Sequence, residues 1–332
     1  MTSPEAFYHL RTLFALRDAV EHLDPAGSPA LHVVYLDPLL PPPSRLGILS
    51  GSFNPLTHAH LALAKAARAV YHLDEVFFAI SRVTIEKETV REACLEDRLL
   101  LLRLFAEHHQ GFGVVLVSHG LYADQAQAFR RTFPALAELD FLVGFDKVVQ
   151  LFDPRYYADR EAALHTFFAQ ARLITALRNG KSLEDLDRLL KRPEHRAFST
   201  KVLPLSIPEE YRGLSATQVR EMARQGHPIG AFVPEEVEGF IQATGLYAQP
   251  RRLPSGEEVE AYALRVLLLN ALFRARPWAE EEGDFRGLLM LALSDTEEGQ
   301  KLRDFLRNPP NDSPVARLKA FQVQREACYN TL

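Results

Sequence analysis

Two short stretches of this chain carry side chains at spacings suited to holding phosphate. The first, Gly51-Ser52-Phe53-Asn54-Pro55-Leu56-Thr57-His58-Ala59-His60, follows the apolar run 46–50 and leads into helix-forming residues 61–69. A strand that passes directly into a helix leaves unpaired backbone N–H groups and the positive end of the helix dipole at the junction, which favours an anion. Gly51 lets a phosphate approach the backbone, Thr57 is placed to cap the helix, and His58 and His60 flank the anion. An ordinary helix start with two surface histidines is the bland alternative. The string is neither a G-x-G-x-x-G dinucleotide turn nor a G-x-x-x-x-G-K-[ST] loop.

The second stretch, Leu214-Ser215-Ala216-Thr217-Gln218-Val219-Arg220, opens another helix that ends near Gly226. Ser215 and Gln218 have the spacing of a capping box, which is reason enough for both residues even in an enzyme. Thr217 and Arg220 are three apart and share a helix face, so a hydroxyl, free N–H groups and a guanidinium converge on one anion.

The elements that must position these turns read as a parallel sheet. Short apolar runs at 46–50, 76–81, 114–118, 141–144, 173–177 and 201–205 alternate with amphipathic stretches at 60–71, 95–108 and 183–190. That alternation predicts an α/β fold of Rossmann-like βαβ units, an open parallel sheet with helices on both faces. Ligands then bind at the carboxyl edge of the strands. Residues 1–45 read as an N-terminal helical arm and Pro-rich linker, 46–248 as the catalytic domain, and 249–332 as a helical C-terminal extension whose role the sequence leaves open. Residues 257–274 read as one helix, with apolar positions at Val259, Tyr262, Val266, Leu269 and Phe273.

Gly-x-Phe-Asn-Pro-x-Thr-x-x-His-Leu resembles the signature of the nucleotidylyltransferase superfamily, and the wording from Gly51 to Thr57 is similar to that of its nicotinate and nicotinamide mononucleotide adenylyltransferases. Leu214 to Arg220 resembles the second signature, Ile-Ser-Ser-Thr-x-x-Arg. Ala59 stands where the family usually has Gly, and Ala216 replaces its middle Ser. The resemblance implies that His60 contacts the ATP phosphates and stabilises the transition state, that Thr57 also reaches them, and that Ser215, Thr217 and Arg220 hold the triphosphate. It also implies that Gly51, Ser52 and Phe53 line the nucleotide. Gly144 and Asp146 match the family's Gly-x-Asp at the nucleotide, although an Asp just after a strand also reads as a helix cap. Arg178 matches an Arg near the substrate, and Lys87 falls where relatives carry a Lys in a substrate loop. Glu96-Asp97-Arg98 fits the family pattern and also reads as helix-end charge. Relatives stack the pyridine base on tryptophan; this chain has Tyr156 and Tyr157 there, with Tyr122 as a further aromatic face.

Hydrophobic residues make up 47% and charged residues 24% of the chain, the balance of a soluble globular protein rather than a disordered or fibrous one. A formal net charge of −5 argues against a broad nucleic-acid-binding surface, whereas a small phosphorylated ligand needs only a local positive site. Cys94 and Cys328 sit at no metal-finger or disulfide-framework spacing, which fits a reducing compartment. The start lacks the basic residues and apolar run of a signal peptide, so cytoplasm is the default. Val266 to Phe273 is interrupted by Asn270 and falls well short of the ~20 apolar residues of a membrane span.

The implied reaction is attack of a mononucleotide 5′-phosphate on the α-phosphorus of ATP, with Mg2+ accompanying the triphosphate and pyrophosphate leaving. Expected partners are ATP and a mononucleotide, with no nucleic acid and no membrane; a homo-oligomer stays open. Two alternatives remain at this point: another nucleotidyltransferase of the same fold, with a cytidylyl donor or a pantetheine-phosphate type acceptor, and a nucleotide-binding regulatory protein with weak or no catalysis.

Overall fold

The computed structural model describes residues 3–83, 93–177, 180–309 and 311–329, with side chains described as far as Arg325. The apolar runs form the strands of one sheet: β1 (Leu31–Tyr35), β2 (Arg45–Ser50), β3 (Glu75–Ser81), β4 (Phe112–Val117), β5 (Glu138–Gly144), β6 (Arg172–Ala176) and β7 (Val202–Leu205). Their order is β1-β4-β3-β2-β5-β6-β7. From β4 to β7 every neighbouring pair is parallel. Strand order therefore runs outward in both directions from β2 and β5, whose carboxyl ends flank the crevice where open α/β sheets bind ligands.

The edge strand β1 pairs antiparallel with β4 and was not expected, since residues 1–45 read as helix and linker. Its residues are almost all half-buried, so the apolar run that marks a central strand is missing.

Successive strand residues point to opposite faces, and both faces are covered. Along β3, Val76, Phe78 and Ile80 enter one buried cluster, while Phe77 and Ala79 enter the other. Between and after the strands come α1 (Leu10–His22), α2 (His58–Tyr71), α3 (Leu95–His108), α4 (Tyr122–Thr132), α5 (Phe145–Phe152), α6 (Arg160–Gln170), α7 (Leu183–Leu190), α8 (Glu209–Arg212), α9 (Ala216–Arg224) and α10 (Glu235–Thr244). Apolar residues of α1, α2, α3 and α10 share the first cluster, and those of α4 to α7 the second.

Beyond α10, β8 (Arg251–Arg252) and β9 (Glu258–Val259) pair antiparallel before α11 (Ala261–Arg274), α12 (Arg276–Glu282), α13 (Phe285–Ala292), α14 (Glu297–Arg307) and α15 (Val315–Tyr329). Val259 thus belongs to a short hairpin rather than to the helix its spacing suggested. Leu268 and Leu272 of α11 lie in the same buried cluster as Leu13 and Phe14 of α1 and Phe78 of β3. Phe14 meets Phe273 edge-on at 5.3 Å, and Arg276 pairs with Asp18 at 2.6 Å. Both ends of the chain therefore pack on one face of the sheet. Among the described residues, no helix is long and apolar enough to cross a membrane.

Candidate active site

The first turn is built by local chemistry. Gly51 directly follows β2 and donates its N–H to the Ala79 carbonyl of β3 at 3.0 Å, so the sheet ladder fixes the point from which the turn leaves. Phe53 then takes a left-handed backbone (φ 45°), which costs a bulky residue strain. Packing holds it there: its ring is 2% exposed, with edge contacts to His60 at 5.2 Å and Phe78 at 5.4 Å.

Thr57 caps α2 in a capping box with His60 at the position normally taken by Glu or Gln. The Thr57 N–H donates to His60 Nδ1 at 3.0 Å, and the Thr57 hydroxyl lies 2.8 Å from the same nitrogen. An Nδ1 that accepts a backbone N–H carries no proton of its own. The neutral imidazole is therefore held as the Nε2–H tautomer, with a donor on the side away from Thr57. Thr57 is fully buried, which makes it a group that orients His60. Burial holds the pKa of His58 below the usual histidine value, against the raising effect of the nearby Gly230 and Val233 backbone.

The second turn has the same form. Gln218 Oε1 accepts the Ser215 N–H at 2.9 Å, and Ser215 Oγ accepts the Gln218 N–H at 3.2 Å. Ser215 is thus engaged in capping. Arg220 leans out of α9 and donates to the carbonyl oxygen of Asn54 at 2.7 Å and to Thr217 Oγ1 at 3.3 Å. A residue of the second turn therefore grips the backbone of the first across 166 positions of sequence. From the other side, the Tyr247 hydroxyl donates to Asn54 Oδ1 at 2.6 Å. Asn54 is the joint between the two turns.

Gly144 caps α5 at the carboxyl end of β5, the strand beside β2, and Asp146 stands exposed in the first turn of that helix. Next to the first turn a cavity of about 260 Å³ opens over the carboxyl ends of β2 and β3, with Gly51, Ser52, Arg98, Tyr122, Tyr156 and Tyr157 among its lining. Tyr122 rests on the edge of Phe141 at 5.3 Å. Burial, helped by the neighbouring Tyr157, pushes the Tyr122 phenol up to about 12, and burial does the same for Tyr157. Both phenols stay neutral and present aromatic faces with a hydroxyl.

The expected residues thus fall into two groups. Thr57, His60, Thr217 and Arg220 gather around the Asn54 joint, and Gly51, Ser52, Tyr122 and Tyr157 around the cavity. Lys87 and Arg178 lie outside the described residues. Arg98, which read both as part of the family pattern and as helix-end charge, is 8% exposed, lines the cavity and donates to the Ser52 carbonyl at 2.9 Å. Lys147, which also lines the cavity and bonds Gln150 at 2.7 Å, was not singled out. No three His, Cys, Asp or Glu side chains gather as a metal cage among the described residues.

Comparison with known proteins bears on this arrangement. The family model described as cytidylyltransferase-like matches residues 48–222, more than half of the chain and inclusive of both turns. A probable nicotinate-nucleotide adenylyltransferase of Geobacter sulfurreducens is 29% identical over 223 residues, covering 61% of this chain and 98% of that protein. One of the same description from a Thermoanaerobacter species is 26% identical over 208 residues, covering 61% and 94%. A solved nicotinic acid mononucleotide adenylyltransferase of Plasmodium falciparum, complexed with APC, aligns over 61% of this chain and 96% of its own at 17% identity, with a TM-score of 0.44. With its two signature turns joined at the switch point of the sheet, the chain belongs to the cytidylyltransferase-like family and is a nucleotidyltransferase.

Proposed function

We propose that this enzyme transfers the adenylyl group of MgATP to the 5′-phosphate of nicotinate mononucleotide or its amide, giving a dinucleotide and pyrophosphate. The observation that carries the reading is the bond from Arg220 to the Asn54 carbonyl. It brings the guanidinium and the His60 imidazole to one loop, so that a triphosphate lying over that loop meets both. The names of the relatives support the choice of acceptor, and the tyrosine-lined cavity beside the loop offers aromatic faces to a base.

In the reaction an oxygen of the acceptor phosphate bonds to the α-phosphorus of ATP, and the bond to the β-phosphate bridging oxygen breaks. The acceptor is already ionised near neutral pH, so no protein nucleophile is required. Catalysis reduces to alignment and to stabilising charge on the transferring and leaving phosphates. His60 Nε2–H donates to a phosphate oxygen, Thr57 holds the ring in that tautomer, and Arg220 supplies positive charge. Gly144, Asp146, Ser215 and Thr217 complete the nucleotide site. Magnesium enters with the triphosphate, as part of the nucleotide substrate.

A panel of donors (ATP, CTP) and acceptors (nicotinate mononucleotide, nicotinamide mononucleotide, pantetheine phosphate), scored by pyrophosphate release, tests the proposal. Turnover is expected with ATP and a pyridine mononucleotide. Turnover confined to CTP or to pantetheine phosphate, or none with any pair, rejects it.

A further inference from the structure

Arg98 stands out electrostatically. Its side chain is 8% exposed, and a buried cation is costly unless a negative group meets it. The two acids beside it in sequence are both engaged elsewhere, by residues from the opposite ends of the chain. Glu96 pairs with Arg17 of α1 at 2.8 Å. Asp97 pairs with Arg265 of α11 at 2.7 Å, both side chains fully buried, and also accepts the Tyr262 hydroxyl at 2.7 Å. Burial opposes ionisation of Asp97, but the Arg265 charge and these bonds prevail and hold its carboxyl below the usual range. Asp97 is thus a carboxylate committed to Arg265. Among the described residues, no carboxylate forms an ion pair with Arg98.

What Arg98 does touch is the site. One terminal nitrogen donates to the Ser52 carbonyl, Nε has no hydrogen-bond partner among the described residues, and the side chain lines the cavity. Burial lowers its pKa, yet a guanidinium remains protonated. An unneutralised, pre-oriented fork in a ligand cavity is suited to an anion. Arg98 and Ser52 touch one another next to the first phosphate turn, while Tyr122 and Tyr157 lie together elsewhere in the lining. A mononucleotide with its base on the tyrosines directs its phosphate toward Arg98.

We propose that Arg98 receives the 5′-phosphate of the acceptor mononucleotide, and that α1 and α11 keep it available by binding the two acids that precede it. The identity of that ligand rests on the function proposed above.

The test uses the full chain with Arg98→Gln and Arg98→Lys. Arg98→Gln is expected to raise KM for nicotinate and nicotinamide mononucleotides by the same factor, roughly 10- to 100-fold, the span of a lost charge-assisted bond. KM for ATP stays within about threefold of the wild type, because Arg98 is placed outside the triphosphate clamp. Arg98→Lys recovers part of the loss, having the charge without the fork. In calorimetry the wild type binds the mononucleotide more tightly than the nucleoside lacking phosphate, and Arg98→Gln erases that difference. Four results overturn the proposal: unchanged acceptor KM; a rise for nicotinate mononucleotide alone, which assigns Arg98 to the ring carboxylate; a rise in ATP KM instead; or equal weakening of nucleoside and nucleotide, which marks a structural role. If the wild type uses neither pyridine nucleotide, the function above fails separately. Inorganic phosphate, titrated with the triphosphate site filled by a non-hydrolysable ATP analogue, then reads the Arg98 site alone: binding lost in Arg98→Gln sustains it, and binding retained, or absent from the wild type, overturns it. Should the variants not fold, a structure of the wild type with either mononucleotide decides, since a phosphate outside hydrogen-bond reach of the guanidinium overturns the assignment.

Discussion

The two signature turns use the same local device to different ends. Each begins a helix with a hydroxyl residue and a reach-back partner three positions on: Thr57 with His60, Ser215 with Gln218. In the first, the reach-back partner is itself the group proposed to meet substrate, so capping and orienting the imidazole are one act. In the second, Ser215 and Gln218 satisfy each other, and the side chain proposed to meet substrate, Arg220, is held by Asn54 from a distant part of the chain. A residue positioned by its own helix start is specified locally. One positioned by another loop depends on the fold being complete.

That contrast is open to direct attack. His60→Ala is expected to lower kcat by ~10² to 10³, the usual cost of one preorganised donor. His60→Gln sharpens the point: glutamine restores the capping box and its stability, but not turnover, in steady-state assay and thermal melts. Next in size, Arg220→Ala should cost roughly 10- to 100-fold in kcat/KM for ATP, and an unchanged value would remove it from the site. Thr57→Val, which keeps the shape and removes the hydroxyl beside Nδ1, should reduce kcat by about tenfold and leave ATP KM nearly alone, as expected of a residue that acts through another. Smallest of all, Gln218→Ala should lower stability by about 0.5–1 kcal/mol in denaturant melts, with kcat within about twofold of wild type. Comparable losses from Gln218→Ala and His60→Ala would erase the distinction between the turns.

The same contrast explains what the sequence could disclose. The strands β2 to β6 are legible because central parallel strands must be apolar on both faces, and the turns because capping chemistry is written in adjacent residues. Arg98 could be read as part of the family pattern or as helix-end charge, but its isolation from acids was not legible, since it arises only when Arg17 and Arg265 arrive from distant parts of the chain. Strand β1 escaped because a half-buried edge strand lacks the apolar run that betrays its neighbours. Val259 misled because its spacing continued the period of α11, although the chain reverses in the β8–β9 hairpin first. The placing of Tyr122 and Tyr157 in one cavity follows from the crossover of the sheet, which no local window reports.

The grip of α11 on Asp97 bears on what could be cut away. A version trimmed to residues 48–222 would keep both signature turns and still look complete to a motif search. It would lose Tyr247 from the Asn54 joint and Arg265 from a carboxylate with no exposure to water, a loss of the kind that costs about 3–5 kcal/mol. The recognisable part of the molecule is thus smaller than its working part, and inheritance of the signature alone would not carry the enzyme with it.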